Sequence, residues 1–169
     1  MYPLLHPHSL SPMTRSPAFL LLLALLLSAC QADHPANQAA DDRPYVAFLN
    51  PVDQEEPGPF SDAVRVGNLL FLSGKIGVLP GTRTLAEGGI EGESRQTMDN
   101  IKATLERWGS SLEQVVKCTV MIDNIDEWGA FNEVYVEYFP GNKPARSAFG
   151  ADGLALGAAV EVECIATVD

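Results

Sequence analysis

The chain has 169 residues, and its 22 acidic and 11 basic side chains give a formal net charge of −11. That balance repels phosphate backbones and excludes nucleic-acid binding by bulk electrostatics, yet it leaves room for a small anion at one local arginine. The three histidines, His6, His8 and His34, all precede the part expected to fold, which argues against a histidine base or a histidine-built zinc site there.

From Phe19 to Ala29 the chain is apolar but for Ser28. The run is shorter than the roughly 20 residues a membrane-spanning helix needs, and it has the length of a secretory signal core. Arg15 supplies the positive flank, and Met13 is a candidate start just ahead of it. The run ends Leu27-Ser28-Ala29-Cys30, which resembles the lipobox of bacterial lipoproteins. That resemblance implies a signal over residues 1–30, with cleavage before Cys30 and lipid on Cys30. It also implies a periplasmic, membrane-anchored lipoprotein of the cell envelope. Gln31, where an Asp would retain the protein at the inner membrane, favours the outer one. An ordinary secretory signal is the alternative. Residues 31–43 show no apolar periodicity and read as a flexible tether. Loss of residues 1–30 removes Arg15 alone among the charges, leaving ten bases and 22 acids, a formal −12.

The folded part is expected over residues 44–169. Tyr45 to Asn50 reads as a first strand with Pro51 behind it, and the Pro57-Gly58-Pro59 stretch as a turn. Ala63–Val66 and Leu69–Leu72 are extended runs separated by Gly67-Asn68, a hairpin signal. Ser73-Gly74 ends the second of them, and residues 79–84 form a loop. Gly88-Gly89 leads into a helix whose apolar face carries Met98, Ile101, Leu105 and Trp108, and Gly109 stops it. Val115 to Ile122, rich in β-branched residues, is a strand. Asn124 or Asp126 can cap a second helix carrying Trp128, Phe131, Tyr135 and Tyr138 on one face, closed by Pro140-Gly141. A strand opens at Arg146, a glycine-rich turn spans 150–157, and Val160 to Ala166 is the last strand. The order β-β-β-α-β-α-β-β predicts a mixed α/β (α+β) domain, one sheet with both helices on one face.

Three features point to chemistry. Arg146 follows Pro144, whose fixed φ holds Lys143 extended, so the guanidinium sits at a rigid strand entrance. A guanidinium in such a place holds a carboxylate bidentately, although an ordinary ion pair with an acidic neighbour is the competing reading. Glu161 and Glu163 share one face of the last strand, as the two-residue period requires, and suit an open sheet face lining a cleft or a subunit interface. Cys118 and Cys164 both sit in apolar strand runs, where buried free thiols are the ordinary outcome. A bond between them depends on a Cα separation the sequence does not give.

From Pro57 to Ala166 the chain resembles the reactive-intermediate deaminase (RidA/YjgF-type) family. The matching stretches are Gly-Pro-Phe-Ser-Asp-Ala-Val at 58–64, Leu-Phe-Leu-Ser-Gly-Lys-Ile at 70–76 and Ser-Arg-Gln-Thr-Met-Asp-Asn-Ile-Lys-Ala at 94–103. Others are Val-Val-Lys-Cys-Thr-Val at 115–120, Pro-Ala-Arg-Ser at 144–147 and Val-Glu-Val-Glu-Cys-Ile-Ala at 160–166. The resemblance implies a chorismate-mutase-like fold, a homotrimer with clefts at the subunit interfaces, and hydrolysis of 2-imino acids or 2-enamines without metal or organic cofactor. It implies that Arg146 holds the substrate carboxylate, that Glu161 positions the attacking water, and that Ser73, Phe60 and the backbone of Ala148 line the pocket. Phe60 stands where many members carry tyrosine, Lys75 where glutamine is common, and Ala148 where many have cysteine. Asn132 matches a helix asparagine of the family and is expected to be structural.

Two functions follow from this. One is a 2-iminobutanoate/2-iminopropanoate deaminase-type hydrolase acting outside the cytoplasm. The other is a non-catalytic carboxylate-binding or chaperone-like module on the same fold. A binder needs Arg146 but not Glu161, so the presence of both favours the enzyme.

Overall fold

The computed structural model describes residues 44–52 and 58–169. The expected signal, Cys30 and the tether lie outside these residues, as does Pro57.

Seven strands form one mixed sheet: β1 (Val46–Leu49), β2 (Ala63–Val66), β3 (Leu69–Leu72), β4 (Lys75–Ile76), β5 (Val115–Ile122), β6 (Ala145–Gly150) and β7 (Val160–Thr167). The spatial order is β1-β2-β3-β7-β5-β6, with the short β4 also paired to β7. β5 and β6 are parallel and every other pair is antiparallel. The parallel pair needs a crossover, supplied by helix α2 (Trp128–Tyr138). The other helix, α1 (Gly89–Arg107), lies between β4 and β5 in the chain.

Local chemistry sets these boundaries. The β2–β3 hairpin turns at Gly67, whose φ of 59° suits the first position of a two-residue loop. α1 ends where Gly109 takes φ 79° and the Ser110 N–H returns to the Leu105 carbonyl. Asn124 accepts a hydrogen bond from the Asp126 N–H at 3.2 Å, capping a short 3-10 turn that runs into α2. No strand is expected from the sequence at Lys75–Ile76. Two residues carry no periodicity, and only pairing to Val162 and Glu161 reveals β4.

The core lies between the helices and one face of the sheet. Met98, Ile101 and Leu105 of α1, at steps of three and four, meet Cys118, Val120 and Ile122 of β5 and Val160, Val162 and Ala166 of β7. On β7, and on β5 from Cys118 onward, every second residue is buried and the alternate residues face away from the helices; a register shift between Val115 and Lys117 interrupts the pattern at the start of β5. That opposite face of the sheet carries Phe71, Ile165, Glu161 and Glu163.

Cys118 and Cys164 sit directly opposite each other across β5 and β7, with Cα atoms 4.1 Å apart, and are joined by a disulfide. The expectation of free thiols is thus corrected: strand order makes the two cysteines cross-strand neighbours on the buried face, a position spacing along the chain does not reveal.

Candidate active site

Arg146 is the second residue of β6, immediately after the turn held by Pro144. Its register partner is Cys118, so it points to the helix side of the sheet at its outer edge. There α2 makes a seat for it. The Arg146 Nη2 donates to Asn132 Oδ1 at 2.6 Å, and the guanidinium carbon lies 4.6 Å from the Tyr135 ring centre and 5.7 Å from that of Phe131. Residues 131, 132 and 135 come from successive turns of one helix face, so a single element fixes the arginine by a hydrogen bond and by two aromatic faces. Burial pushes the Tyr135 hydroxyl up to about 12, against the opposing pull of the Arg146 charge. The phenol therefore stays neutral and does not cancel the guanidinium.

No carboxylate lies within ion-pair range of Arg146 among the described residues. The contrast with other cations is plain. Arg95 pairs with Glu137 at 2.6 Å, and Lys75 and Arg107 both pair with Asp62. A guanidinium held in this way, with no acidic partner among the described residues, is a candidate for holding a carboxylate.

The remaining expected residues gather on the other face. Phe60, Ser73 and Glu161 line a cavity of about 370 Å³ together with Val64, Phe71, Leu72, Gly74 and Glu163. β7 presents Glu161 there because it lies an odd number of residues from Cys164, and β3 delivers Ser73 at its C-terminal end. The Ser73 hydroxyl donates to the Ser61 carbonyl at 2.6 Å, so it offers a ligand its oxygen as an acceptor only. The Glu161 carboxylate lies against the backbone of Gly74. Phe60 stands on the rim, 67% exposed.

The site residues are therefore divided. Glu161 is level with Met121 and Arg146 with Cys118, three residues apart on β5, so the two side chains leave opposite faces of the sheet. Ala148 pairs with Val120 and lies beside Arg146, not in the Glu161 cavity. Lys75, noted as a departure, turns to the helix side and is bonded to Asp62, away from this cavity. Asn132, Phe131 and Tyr135 touch Arg146, and Gly74 lies against Glu161, four neighbours to which the sequence alone assigns no functional role. Their signals were the Phe131–Tyr135 spacing beside Asn132 and a glycine directly after the strand-end serine.

Among the described residues no group of three His, Cys, Asp or Glu side chains is placed to hold a metal ion, and no helix is long and apolar enough to cross a membrane.

A mixed sheet backed by two helices, with a seated arginine on one face and a glutamate cavity on the other, defines a small single-domain α+β protein. The chain belongs to the reactive-intermediate deaminase (RidA/YjgF) family, whose family model, described as Endoribonuclease L-PSP, matches residues 53–168. It is 42% identical over 109 residues to a RutC family protein of Pyrococcus horikoshii, covering 64% of this chain and 86% of that protein. It is 38% identical over 109 residues to the 2-iminobutanoate/2-iminopropanoate deaminase of Mus musculus, covering 64% of this chain and 81% of the relative. Among solved structures, the Rid-family protein YyfA of Yersinia pestis superposes with a TM-score of 0.68 at 36% identity, over 73% of this chain and all of that one.

Proposed function

We propose that the protein hydrolyses 2-imino acids, or their 2-enamine tautomers, to 2-oxo acids and ammonia. The observation that carries this reading is Arg146, held by α2 and unpaired with any acid of the described residues. A 2-imino acid places a carboxylate one bond from an electrophilic C=N carbon. Two parallel hydrogen bonds from Arg146 to the carboxylate would fix that carbon in position. Glu161 would take a proton from water as the oxygen adds to C2 and pass it to the imine nitrogen, giving a carbinolamine; the carbinol O–H proton would then move to nitrogen as the C=O bond forms and the C–N bond breaks. Overall, one water enters and one ammonia leaves. Support comes from the matched stretches and from relatives named for this deaminase activity at 38% and 37% identity.

Arg146 and Glu161 leave opposite faces of one sheet, so a complete site on this reading needs a second copy. A homotrimer, with Arg146 of one subunit facing the Glu161 cavity of the next, would satisfy both halves and cover the open sheet face that carries Phe71 and Ile165. The lipobox-like Leu27-Ser28-Ala29-Cys30 supports an envelope lipoprotein anchored through Cys30 and joined by residues 31–43 to the domain. The net charge of −11 and the lack of histidine in residues 44–169 speak against an RNA backbone as substrate, despite the wording of the family description.

The test is competition for a transient imine. 2-Iminopropanoate is generated in situ in the presence of semicarbazide, and an active protein lowers the yield of trapped imine. No difference from buffer would reject the enzyme and leave the carboxylate-binding module.

A further inference from the structure

We infer that Glu93 is a positioning residue for Glu161: its buried carboxylate pins the point at which the last strand enters the sheet, and so sets where the Glu161 carboxylate stands. The inference rests on the deaminase reading and adds to it a residue remote from the substrate.

β7 starts from a turn that does not locate it. Residues 151–159 include Gly153 at φ 83° and Gly157 at φ 73°, and glycine adopts many other shapes at little cost. Leu156, at φ 59°, sits where such a side chain rarely goes, so its surroundings must hold it there. Two hydrogen bonds from outside the turn fix its last residue. The Ala159 N–H donates to Glu93 Oε2 at 2.8 Å, and the Ala159 carbonyl accepts from the Asp123 N–H at 3.0 Å. Asp123 continues the β5–β7 ladder, in which Ile122 faces Val160. Glu93 is the tie from another layer. It lies in the second turn of α1 and is 8% exposed, and no lysine or arginine of the described residues pairs with it. A carboxylate accepting from a main-chain N–H makes a stronger bond than a neutral acceptor does.

The same residue bears on the other strand beside Glu161. β4 puts Ile76 directly opposite Glu161, and Gly77 follows. A Cβ on Gly77 would come within 2.7 Å of the Glu93 carbonyl oxygen and 2.8 Å of its Cα. At Glu93, therefore, α1 rests on β4 one residue beyond Glu161's partner and holds β7 two residues before Glu161 itself. A one-residue slip of β7 would turn Glu161 towards the helices. A displacement of about 1 Å, far short of a slip, is enough to cost two orders of magnitude in rate. These contacts lie within one chain on the helix side of the sheet, so a copy seated on the open face leaves them as they are.

The experiment uses the full chain, the imine assay and calorimetric titration of pyruvate as a stable 2-oxo acid. Glu93→Ala deletes the tie, Glu93→Asp keeps the charge but is one methylene too short for Ala159, and Glu93→Gln keeps an acceptor oxygen in place. The first two are expected to lower kcat by about 10- to 100-fold while binding pyruvate with wild-type Kd and stoichiometry, because the Arg146 seat on α2 is untouched. Glu93→Gln should stay within about threefold of the wild type. On a Glu161→Gln background, Glu93→Ala should change the residual kcat by less than about twofold, since the group it serves is already gone. Wild-type kcat in Glu93→Asp overturns the inference, as does an undiminished effect on the Glu161→Gln background. A pyruvate stoichiometry that falls in step with kcat, or failure of both Glu93→Ala and Glu93→Asp to fold, makes the tie structural alone and also overturns it. A wild type inactive on the imine removes the deaminase reading, whereas an active wild type matched by Glu93→Asp removes the positioning role and keeps the enzyme.

Discussion

Glu161 occupies the space that a side chain at position 74 would need. A Cβ built on Gly74 would overlap the Glu161 Oε1 and come within 2.9 Å of its carboxyl carbon. The glycine is there because a carboxylate lies over it; its φ does not require the left-handed region. Gly74→Ala should therefore push the carboxylate off its position while the fold survives, since the displaced atoms are the far end of a flexible side chain. A shift of that size is expected to lower kcat by about 10- to 100-fold, with little change in thermal midpoint. Calorimetric melting alongside the imine assay checks both halves.

Arg146 and Glu161 should fail in different ways. Arg146→Ala removes the clamp, so 2-oxo acid binding is expected to disappear along with turnover. Arg146→Lys keeps the charge and loses the planar fork, and should recover little. Glu161→Gln keeps the shape and removes the base, so kcat should fall by about 10²- to 10⁴-fold with 2-oxo acid binding retained. If Glu161→Gln turns over at the wild-type rate, the role given to the glutamate is wrong.

Asp62 ties β4 to α1. Its carboxylate receives Lys75, the Trp108 indole N–H at 2.9 Å and Arg107 at 3.4 Å. Burial pushes this carboxyl up, but the hydrogen bonds from Lys75 and Trp108 and the charges of Lys75 and Arg107 together outweigh it and hold it below its ordinary value of 3.8. A depressed folded-state value means a stabilisation fully present above pH 4 and lost as pH falls through the folded value. Asp62→Ala should cost about 2 kcal/mol at pH 7, the worth of hydrogen bonds to a charged group. Urea titrations of the two proteins from pH 7 to pH 3 should show the difference shrinking below pH 4. A difference constant over that window would contradict the assignment.

The Cys118–Cys164 bond closes a stretch with a sequence separation of 46 and is buried at both ends. Chain-entropy arguments give such a link about 4 kcal/mol, chiefly by restricting the unfolded chain. Urea unfolding with and without a strong reductant should reveal a loss of that order. Coincident curves would mean the thiols are not joined in solution.

Element by element, the sequence was legible where a pattern repeats. β-Branched richness in Val115–Ile122, alternation in Val160 to Ala166, and the three-four steps of Met98, Ile101 and Leu105 predict the strands and helix that form the core. Lys75–Ile76 escaped because a two-residue strand has no period. The disulfide and the split between Arg146 and Glu161 were hidden for a different reason. Both depend on β7 and β6 flanking β5, and strand order is a property of the folded sheet that no local stretch encodes. Individual candidate residues are named by the family resemblance. The seat under Arg146 is not, because an asparagine and two aromatics on a helix look the same whether they fill a core or hold a ligand group.

The placement of Arg146 and Glu161 on opposite faces of the sheet has a genetic consequence. On the proposed site shared between copies, a chain lacking only its arginine would still offer the glutamate cavity, and a chain lacking only its glutamate would still offer the clamp. Coexpression of Arg146→Ala and Glu161→Gln chains, each inert alone, should restore activity. Random assembly into cyclic trimers would make roughly a quarter of the sites intact. Two defective alleles would thus complement each other, whereas a double mutant mixed with either one would leave no intact site.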